Sequence, residues 1–446
     1  MALGGGTFTT QNEVLPGSYI NFVSVSSVSS NLSDRGIVTM PLELDWGVEN
    51  EIFTVTNEDF QKNSQKIFGH SYTDDEMKGL RDLFKNTNTL FGYRLNSGGV
   101  KASNDYATAL YCGTRGNDLK IAIQANVDNE TAFDVITYLG TTKVDTQTVQ
   151  EAGELKANNY VKFNSELTLA ITAATPLAGG TNGTVDGAAY QAYADKIESY
   201  TYNTMGIVTT DDTIKSLFTS FNKRLRDELG IKFQLVLYDY NQADYMGVIS
   251  VKNACVDGEE IGEDGETVYP NEAAAVYWTT GAQAGCAVNA TCQNKIYDGE
   301  FTINTDYTQA ELIAAIKSGE FVFHKVNSDV RVLEDINTMV TTSATCGDVF
   351  KENQTIRVID QLGNADALLF NTKYLGKMPN DAAGRTGLWS DLVENRKALQ
   401  RIRAIENFSE TDVVVSQGDT KKSVVVENVI TVVNAMSKMY MTTTIS

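Results

Sequence analysis

The stretch from Met205 to Tyr240 leaves very little topological freedom. An apolar run, MGIVTT, meets a capping Asp211 or Asp212. A helix follows with Ile214, Leu217, Phe218, Phe221 and Leu225 on one face, it stops at Gly230, and a second apolar run, FQLVLYDY, begins. A helix between two strands is a crossover, and crossovers join parallel strands. Parallel strands are covered on both faces, so the flanking chain must supply further helices. MGVISVKNA at 246–254 and the helix-like AAAVYWTTGAQAGCAV at 273–288 continue the unit. Upstream, Pro16 to Val55 reads as short strands, followed by helices at 57–68, opened by a capping Thr56 or Asn57, and at 74–86.

Between these α/β segments the texture changes. Residues 96–186 carry six short runs with partial apolar and polar alternation, TALYCG, LKIAIQANV, FDVITYLG, TKVDTQTV, YVKFNS and LTLAITAATPL, separated by Gly, Asn and Asp. That spacing predicts an inserted antiparallel β-sandwich or barrel, closed by the linker LAGGTNGTVDG. The last hundred or so residues read as α+β. SGEFVFHKVNSDVRVLEDIN predicts a hairpin, helical stretches follow at 346–362, 363–376 and 386–406, and the runs ETDVVVS, SVVVENVITVV and KMYMTTTI close the chain as β-branched strands. The expected fold class is therefore multidomain, α/β and α+β: mixed α/β core domains, an inserted β-rich domain and extended terminal arms. The expected division is an arm at 1–15, a central domain from 16–95 with 187–330, an outer β-rich domain at 96–186 and a C-terminal domain at 331–446.

Charge and composition narrow the function. Lys plus Arg number 36 against 57 Asp plus Glu, a net charge of −21, and such a surface repels phosphate, so no nucleic-acid partner is expected. His70 and His324 are the two histidines of the chain, which leaves few candidates for acid–base or metal chemistry. Neither G-x-G-x-x-G nor a P-loop pattern occurs, and Thr209 to Asp212 read as helix-capping residues. The acidic run at 257–266 departs from the EF-hand spacing and reads as a solvated hairpin. Cys286 and Cys292 lack zinc-knuckle spacing, His324 reads as a strand residue, and the five scattered cysteines read as reduced thiols. No enzyme activity, cofactor or metal is expected. No apolar stretch approaches the ~20 residues needed to span a bilayer, and residues 1–22 lack the basic and apolar regions of a secretory signal. Membrane insertion by this chain is not expected, and synthesis inside a cell is.

The two ends carry the remaining signal. The first dozen or so residues are small and polar with little to bury, which predicts an arm that orders against something else. Closing strands rich in β-branched residues would leave unpaired N–H and C=O rows if they lay at an edge. A polar arm and a β-branched tail together suit strand exchange between identical subunits, with padding of the home sheet as the alternative. A second anomaly is NRKALQRIR at 395–403, where Arg396, Lys397, Arg401 and Arg403 occur without an acid. On a helix, Leu392, Leu399, Ile402 and Ile405 would face inward and Lys397 and Arg401 would share an outer face, either solvated or a docking strip for an acidic partner.

LPGSYINFVS, RGIVTMPLELDWG, AAAVYWTTGAQAGCAVNATCQNKIYDGE, SGEFVFHKVNSDVRVLEDINT and VITVVNAMSKMYMTTTIS, in that order, resemble the contractile tail sheath proteins of phages and phage-like bacteriocin particles of Gram-positive bacteria. The resemblance spans nearly the whole chain and is weakest over 96–186. It implies a structural homo-oligomer of six-fold discs in a helical sheath around a tail tube. The implied partners are the tail tube, baseplate and tail-terminator proteins. Assembly in the bacterial cytoplasm and a place in a virion tail or phage-like particle follow from it. It implies that terminal segments link neighbouring subunits, here Gly4, Gly5, Gly6, Thr7, Phe8 and Val14 at one end and Val424, Val426, Val429, Val432, Met439 and Met441 at the other. It implies a tube-facing helix, with Arg396, Lys397, Arg401 and Arg403 as candidates, and an outward-pointing β-rich insertion. The rival classes are an exported surface-layer or adhesin-type protein, which would carry an export signal, and an α/β enzyme.

Overall fold

A computed structural model describes residues 35–261 and 267–445, together with the backbone of two short strands, Gly4–Gly6 and Gly17–Tyr19. At its centre lies a seven-stranded sheet in the order Glu320–Phe321, Val248–Val251, Gln234–Tyr238, Thr204–Ile207, Ile37–Leu42, Thr89–Arg94, Ile52–Thr56. All neighbours are parallel except the edge strand Ile52–Thr56, which runs antiparallel to Thr89–Arg94. The expected crossover is present: Asp211 caps the Asp212–Asp227 helix by accepting from the Thr213 N–H at 2.7 Å, and the chain turns at Gly230, with φ of 76°, into the next parallel strand. Every residue of Thr204–Ile207 and Val248–Val251 is buried, because both faces of the sheet are covered. One face meets the helices Gly187–Ile197 and Asp212–Asp227 through Tyr193, Ile197, Phe218 and Leu225. The other meets Asn57–Phe68, Lys78–Phe84 and Ala275–Gly285 through Phe60, Phe68, Leu83 and Trp278. Gly281 makes this packing close: a Cβ there would lie 2.3 Å from the Leu83 carbonyl oxygen.

Between the Thr89–Arg94 strand and the Gly187–Ile197 helix the chain forms a β-rich unit, here termed the outer unit after the expectation above, a four-stranded antiparallel sheet (Thr172–Pro176, Leu119–Ala125, Phe133–Leu139, Thr142–Val149) with a two-stranded partner (Val161–Phe163, Ala107–Ala109). Its core is Leu119, Ile121, Ile123, Val135, Leu139, Val161 and Phe163. The segments entering and leaving this unit run together as a neck. Gly183 N–H donates to the Asn96 carbonyl at 3.0 Å and Thr181 N–H to that of Val100 at 3.0 Å, so the Gly-rich linker is ordered against the incoming strand. Gly183 lies so near Ser97 that a Cβ would fall 1.9 Å from its carbonyl oxygen. Arg94, fully buried at the base of the neck, donates to the carbonyls of Gly47 and Cys112 at 3.2 and 2.9 Å.

The C-terminal region differs from expectation in its helices. The stretches at 346–362 and 363–376 are one helix, Asn353–Leu369, which runs into a wider turn at Phe370–Tyr374. Gly363 and Asn364 sit mid-helix because tertiary contact outweighs their weak propensity: the Asn364 amide donates to the Lys232 carbonyl at 3.0 Å and accepts from its N–H at 3.3 Å. The next helix, Ala382–Arg401, ends before Ile402, and Ile405 belongs to a short strand, Ile405–Glu406. The expected hairpin at Phe323–Val326 and Asp329–Val332 is present, with His324 opposite Arg331. Glu260–Ile261 pairs with Thr267–Val268 around the acidic run, whose residues 262–266 lie outside the described residues.

Three ion pairs bind the Asn353–Leu369 helix to its surroundings. Arg357 meets Asp335 at 2.7 Å with both side chains 1% exposed. Asp360 takes both arms of the Arg226 guanidinium at 2.7 Å, and Asp366 accepts from Arg396 at 2.5 Å. Asp335 also accepts from Gln283 at 2.7 Å, the Cys292 N–H at 2.8 Å, Thr291 at 3.0 Å and Asn353 at 3.0 Å. Burial pushes the Asp335 carboxyl up, but the Arg357 guanidinium and these donors outweigh it and hold it below the usual carboxylate value. A depressed folded value means that this contribution to stability is present above about pH 4, the unfolded carboxyl range, and is lost as pH falls through the lower folded value. Asp335→Asn should therefore cost about 3 to 5 kcal/mol in urea unfolding at pH 7, because it leaves the buried Arg357 uncompensated. The difference from the native chain should shrink in acid below about pH 4.

Candidate assembly interface

Both ends of the described chain are fastened at the junction where the Ala275–Gly285 and Asn353–Leu369 helices meet. At the C-terminal side, Thr431–Val432 pairs with Ile405–Glu406, and the Val433 N–H donates to the Ala404 carbonyl at 3.0 Å. The buried Gln354 amide then grips the departing backbone from both directions, donating to the Val433 carbonyl at 3.1 Å and accepting from the Ala435 N–H at 3.0 Å. Thr355 adds a contact to the Asn434 side chain at 3.3 Å. Past Ala435 the chain runs to Ile445 without joining a strand. Met436, Met439, Tyr440, Met441 and Ile445 are each at least 75% exposed. A segment outside any strand with five large apolar side chains in water has its favourable burial still to come.

At the N-terminal side, Arg35 plays the same part. Its guanidinium donates to the Cys286 carbonyl at 2.9 Å and the Gln283 carbonyl at 3.1 Å, on the residue whose side chain also binds Asp335. Thus the backbone leading to each terminus is tied to a helix that holds the Asp335–Arg357 pair. Arg35, Gln354 and Thr355 carry no distinguishing sequence pattern. Polar residues near a helix start read as solvated, and their partners are backbone groups far away in the chain.

The predicted linking residues separate into groups. Gly4–Gly6 form a short parallel pair with Gly17–Tyr19, while Thr7, Phe8 and Val14 lie outside the described residues. Val424 and Val426 are not in a free segment. They pair with Gln417 and Val415 in an antiparallel hairpin, Val413–Gln417 with Val424–Asn428, which packs on Trp389 of the Ala382–Arg401 helix. Val432 is likewise paired at home, opposite Ile405. All three are paired within their own chain, since a short connection lets adjacent β-branched runs close on each other. Val429 is 68% exposed between the two pairings, and Met439 and Met441 lie in the free segment. The third expected strand, KMYMTTTI, pairs with no other strand among the described residues. Both strands of the hairpin keep an unpaired outer edge among the described residues, bordered by the exposed Val414, Val425 and Val426.

The basic stretch is corrected at one position. Arg396 is 1% exposed and points inward with Leu388, Leu392 and Leu399, its guanidinium forked onto Asp366 and touching the Leu392 carbonyl. It holds two helices of the same domain together and presents no charge outward. Lys397 and Arg401 face solvent and are paired with Glu410 and Glu394, the latter at 2.7 Å. Arg403 is exposed, in the left-handed conformation with φ of 62°, just past the helix end.

Four protein families match successive parts of the chain: the tail sheath protein Gp18 domain III N-terminal region over 35–95, the phage tail sheath protein beta-sandwich domain over 97–182, the phage tail sheath protein central domain over 183–338 and the phage tail sheath C-terminal domain over 346–446. The phage-like element PBSX protein XkdK of Bacillus subtilis is 31% identical, with 98% of this chain and 99% of the relative covered. A crystal structure of the sheath tail protein of Desulfitobacterium hafniense is 37% identical and superposes with a TM-score of 0.81 over 95% of this chain and 99% of that one. The helical sheath of the anti-feeding prophage in its contracted state shares the fold at 11% identity, with a TM-score of 0.54 over 97% of this chain and 99% of that one. The chain belongs to the phage tail sheath protein family and is a subunit of a contractile tail sheath.

Proposed function

We propose that this subunit polymerises with copies of itself as six-fold discs around a tail tube, and that its terminal segments link neighbours before and after contraction. The observation that carries the reading is the segment Met436–Ile445, outside any strand, with five exposed large apolar side chains and clamped at its root by Gln354, in a chain whose hairpin has open edges. A strand donated from a neighbour would satisfy those edges and bury those methionines, which is β-augmentation between identical chains. The division into 1–15, 16–95 with 187–330, 96–186 and 331–446 belongs to this reading, and strands from 37–94 and 204–321 sharing one sheet support it. The 96–186 unit, joined through its hydrogen-bonded neck, points outward, and the end of the Ala382–Arg401 helix with Lys397, Arg401 and Arg403 faces the tube. The tube, baseplate and tail-terminator proteins are the partners. Assembly takes place in the bacterial cytoplasm, the role is structural and non-enzymatic, and contraction exchanges a smaller set of inter-subunit contacts for a larger one.

Deletion of residues 436–446 should leave a monomer with native thermal stability, because the segment makes few contacts at home. Negative-stain electron microscopy with the tube protein should show striated cylinders for the full chain and none for the truncated one. Cylinders of undiminished order from the truncated chain would remove the linking role. Deletion of residues 1–14 should have the same effect on assembly.

The two kinds of arginine in the basic stretch should separate in one experiment. Arg396→Ala should lower the monomer's unfolding free energy by about 3 kcal/mol by stranding Asp366 and opening the helix contact. Arg401→Ala should change it by less than about 0.5 kcal/mol, as expected for an exposed pair, and should act instead on assembly around the tube. Equal effects of the two on thermal unfolding would contradict the burial of Arg396.

A further inference from the structure

His70 sits where the central sheet meets the neck of the outer unit, immediately after Gly69 closes the Asn57–Phe68 helix. Its side chain is 7% exposed and stands among three carboxylates, Asp45, Asp74 and Glu76. The two ring nitrogens are treated differently. Nε2 faces both Asp45 oxygens at 2.9 and 3.0 Å and so carries the proton that it donates to them. Nδ1 makes no hydrogen bond. It is aimed at Glu76 Oε2, 3.5 Å away, and Asp74 Oδ2, 4.0 Å away. In the neutral ring this nitrogen is a lone pair directed at two anions, an arrangement that repels unless a proton on Nδ1 or a metal cation lies between them.

The surrounding cations do not fill that role. Among the described residues, no Lys or Arg pairs with Asp45, Asp74 or Glu76. Arg81 lies close, but its guanidinium is spent on the carbonyls of Tyr72 and Asp74 and on Glu300. Arg115 binds the Gly69 carbonyl at 2.8 Å and Asp118 at 2.9 Å. The spacing is also that of shared ligation. A hydrogen bond would bring Nδ1 to ~2.7–3.2 Å from an oxygen. Two ligands held at ~2.0–2.2 Å from one tetrahedral ion stand ~3.4 Å apart. Nδ1, Asp74 and Glu76 offer ligand atoms all within 4.8 Å of one another.

We propose that His70 Nδ1, Asp74 and Glu76 bind a divalent cation of the zinc type, with Asp45 as the positioning residue that fixes the tautomer through Nε2. The imidazole with a carboxylate behind it is the outer-sphere arrangement that orients a ligating histidine and raises its basicity. Three protein ligands leave the fourth position for water on the exposed Glu76 side. The ion ties the turn at 74–76 to the segment around Asp45. That segment abuts the outer unit: a Cβ on Gly113 would lie 1.9 Å from the Asp45 carbonyl oxygen. Metal binding there braces the neck. The signal in the sequence is His70 followed at i+4 and i+6 by acids, and the Asp45 contact that turns it into a site comes from the fold.

The test is calorimetric titration of the full chain with Zn2+ after chelation at pH 7, with Co2+ visible absorption as a second readout. The native chain should bind one ion at this site with the absorption of a tetrahedral centre. Glu76→Gln, at an exposed position that leaves the fold intact, should weaken this binding at least about tenfold, and His70→Gln should remove it. Asp45→Asn should weaken it about 10- to 100-fold. If His70→Gln does not fold, Glu76→Gln and Asp74→Asn decide the matter. The proposal is overturned if the native chain binds no Zn2+, or if the Glu76 and Asp74 variants bind it as the native chain does. It is equally overturned if nitrogen NMR finds both ring nitrogens of His70 protonated at pH 7 in the presence of Zn2+.

Discussion

The buried Asp335–Arg357 pair is the contact on which the arrangement of the molecule depends. Two charges at 1% exposure are tolerable only when further hydrogen bonds offset their desolvation; here the donors to Asp335 come from three directions, while the Arg357 Nε has no partner among the described residues. Gln283 brings the Ala275–Gly285 helix, Thr291 and Cys292 bring the loop after it, and Asn353 brings the start of the C-terminal helix. The network ties the Ala275–Gly285 helix and the loop after it to the C-terminal helix with directional bonds, beside an apolar cluster of Val288, Val358, Leu362 and Leu399. A directional junction fixes the angle between the elements it joins.

Around that junction the molecule divides into parts that hold their shape and parts with their bonding still open. The central sheet is covered on both faces by aromatic and aliphatic side chains, and the outer unit has its own core. The terminal backbone is different in kind. It is fastened at Arg35 and at Gln354, next to the buried pair, and beyond Ala435 it exposes methionines and a tyrosine. Both fastenings therefore lie beside the buried pair and not at the edge of a domain. The neck at Gly183 and Arg94 is a second such point, where the two crossing segments share hydrogen bonds and the outer unit is attached without loosening the central sheet.

Some of this was legible from residue pattern. The crossover at 205–240 dictated parallel strands, the alternating runs at 96–186 dictated an antiparallel unit, and Thr56, Asp211 and Gly230 marked helix ends where they occur. These are local signals, decided within a few residues by periodicity and capping. The failures share a cause. Gly363 and Asn364 look like a helix break, yet a contact to Lys232 carries the helix through them. Val424 and Val426 look like a free strand, yet the preceding run was near enough to pair. Arg396 looks like one charge of a surface strip, yet a turn of helix sets it against Asp366.

The sequence by itself determined the layered α/β core, the inserted β-rich unit and the polar and β-branched ends, and its resemblance to sheath proteins carried the function. Tertiary structure decided which charges are structural, which strands are already satisfied and where the termini are anchored. The physical reason is distance along the chain. Periodicity reports which face of an element is apolar, whereas the partner of a buried charge or an open strand edge lies 22, 74 or 134 residues away, as for Arg357 with Asp335, Arg357 with Gln283 and Arg226 with Asp360.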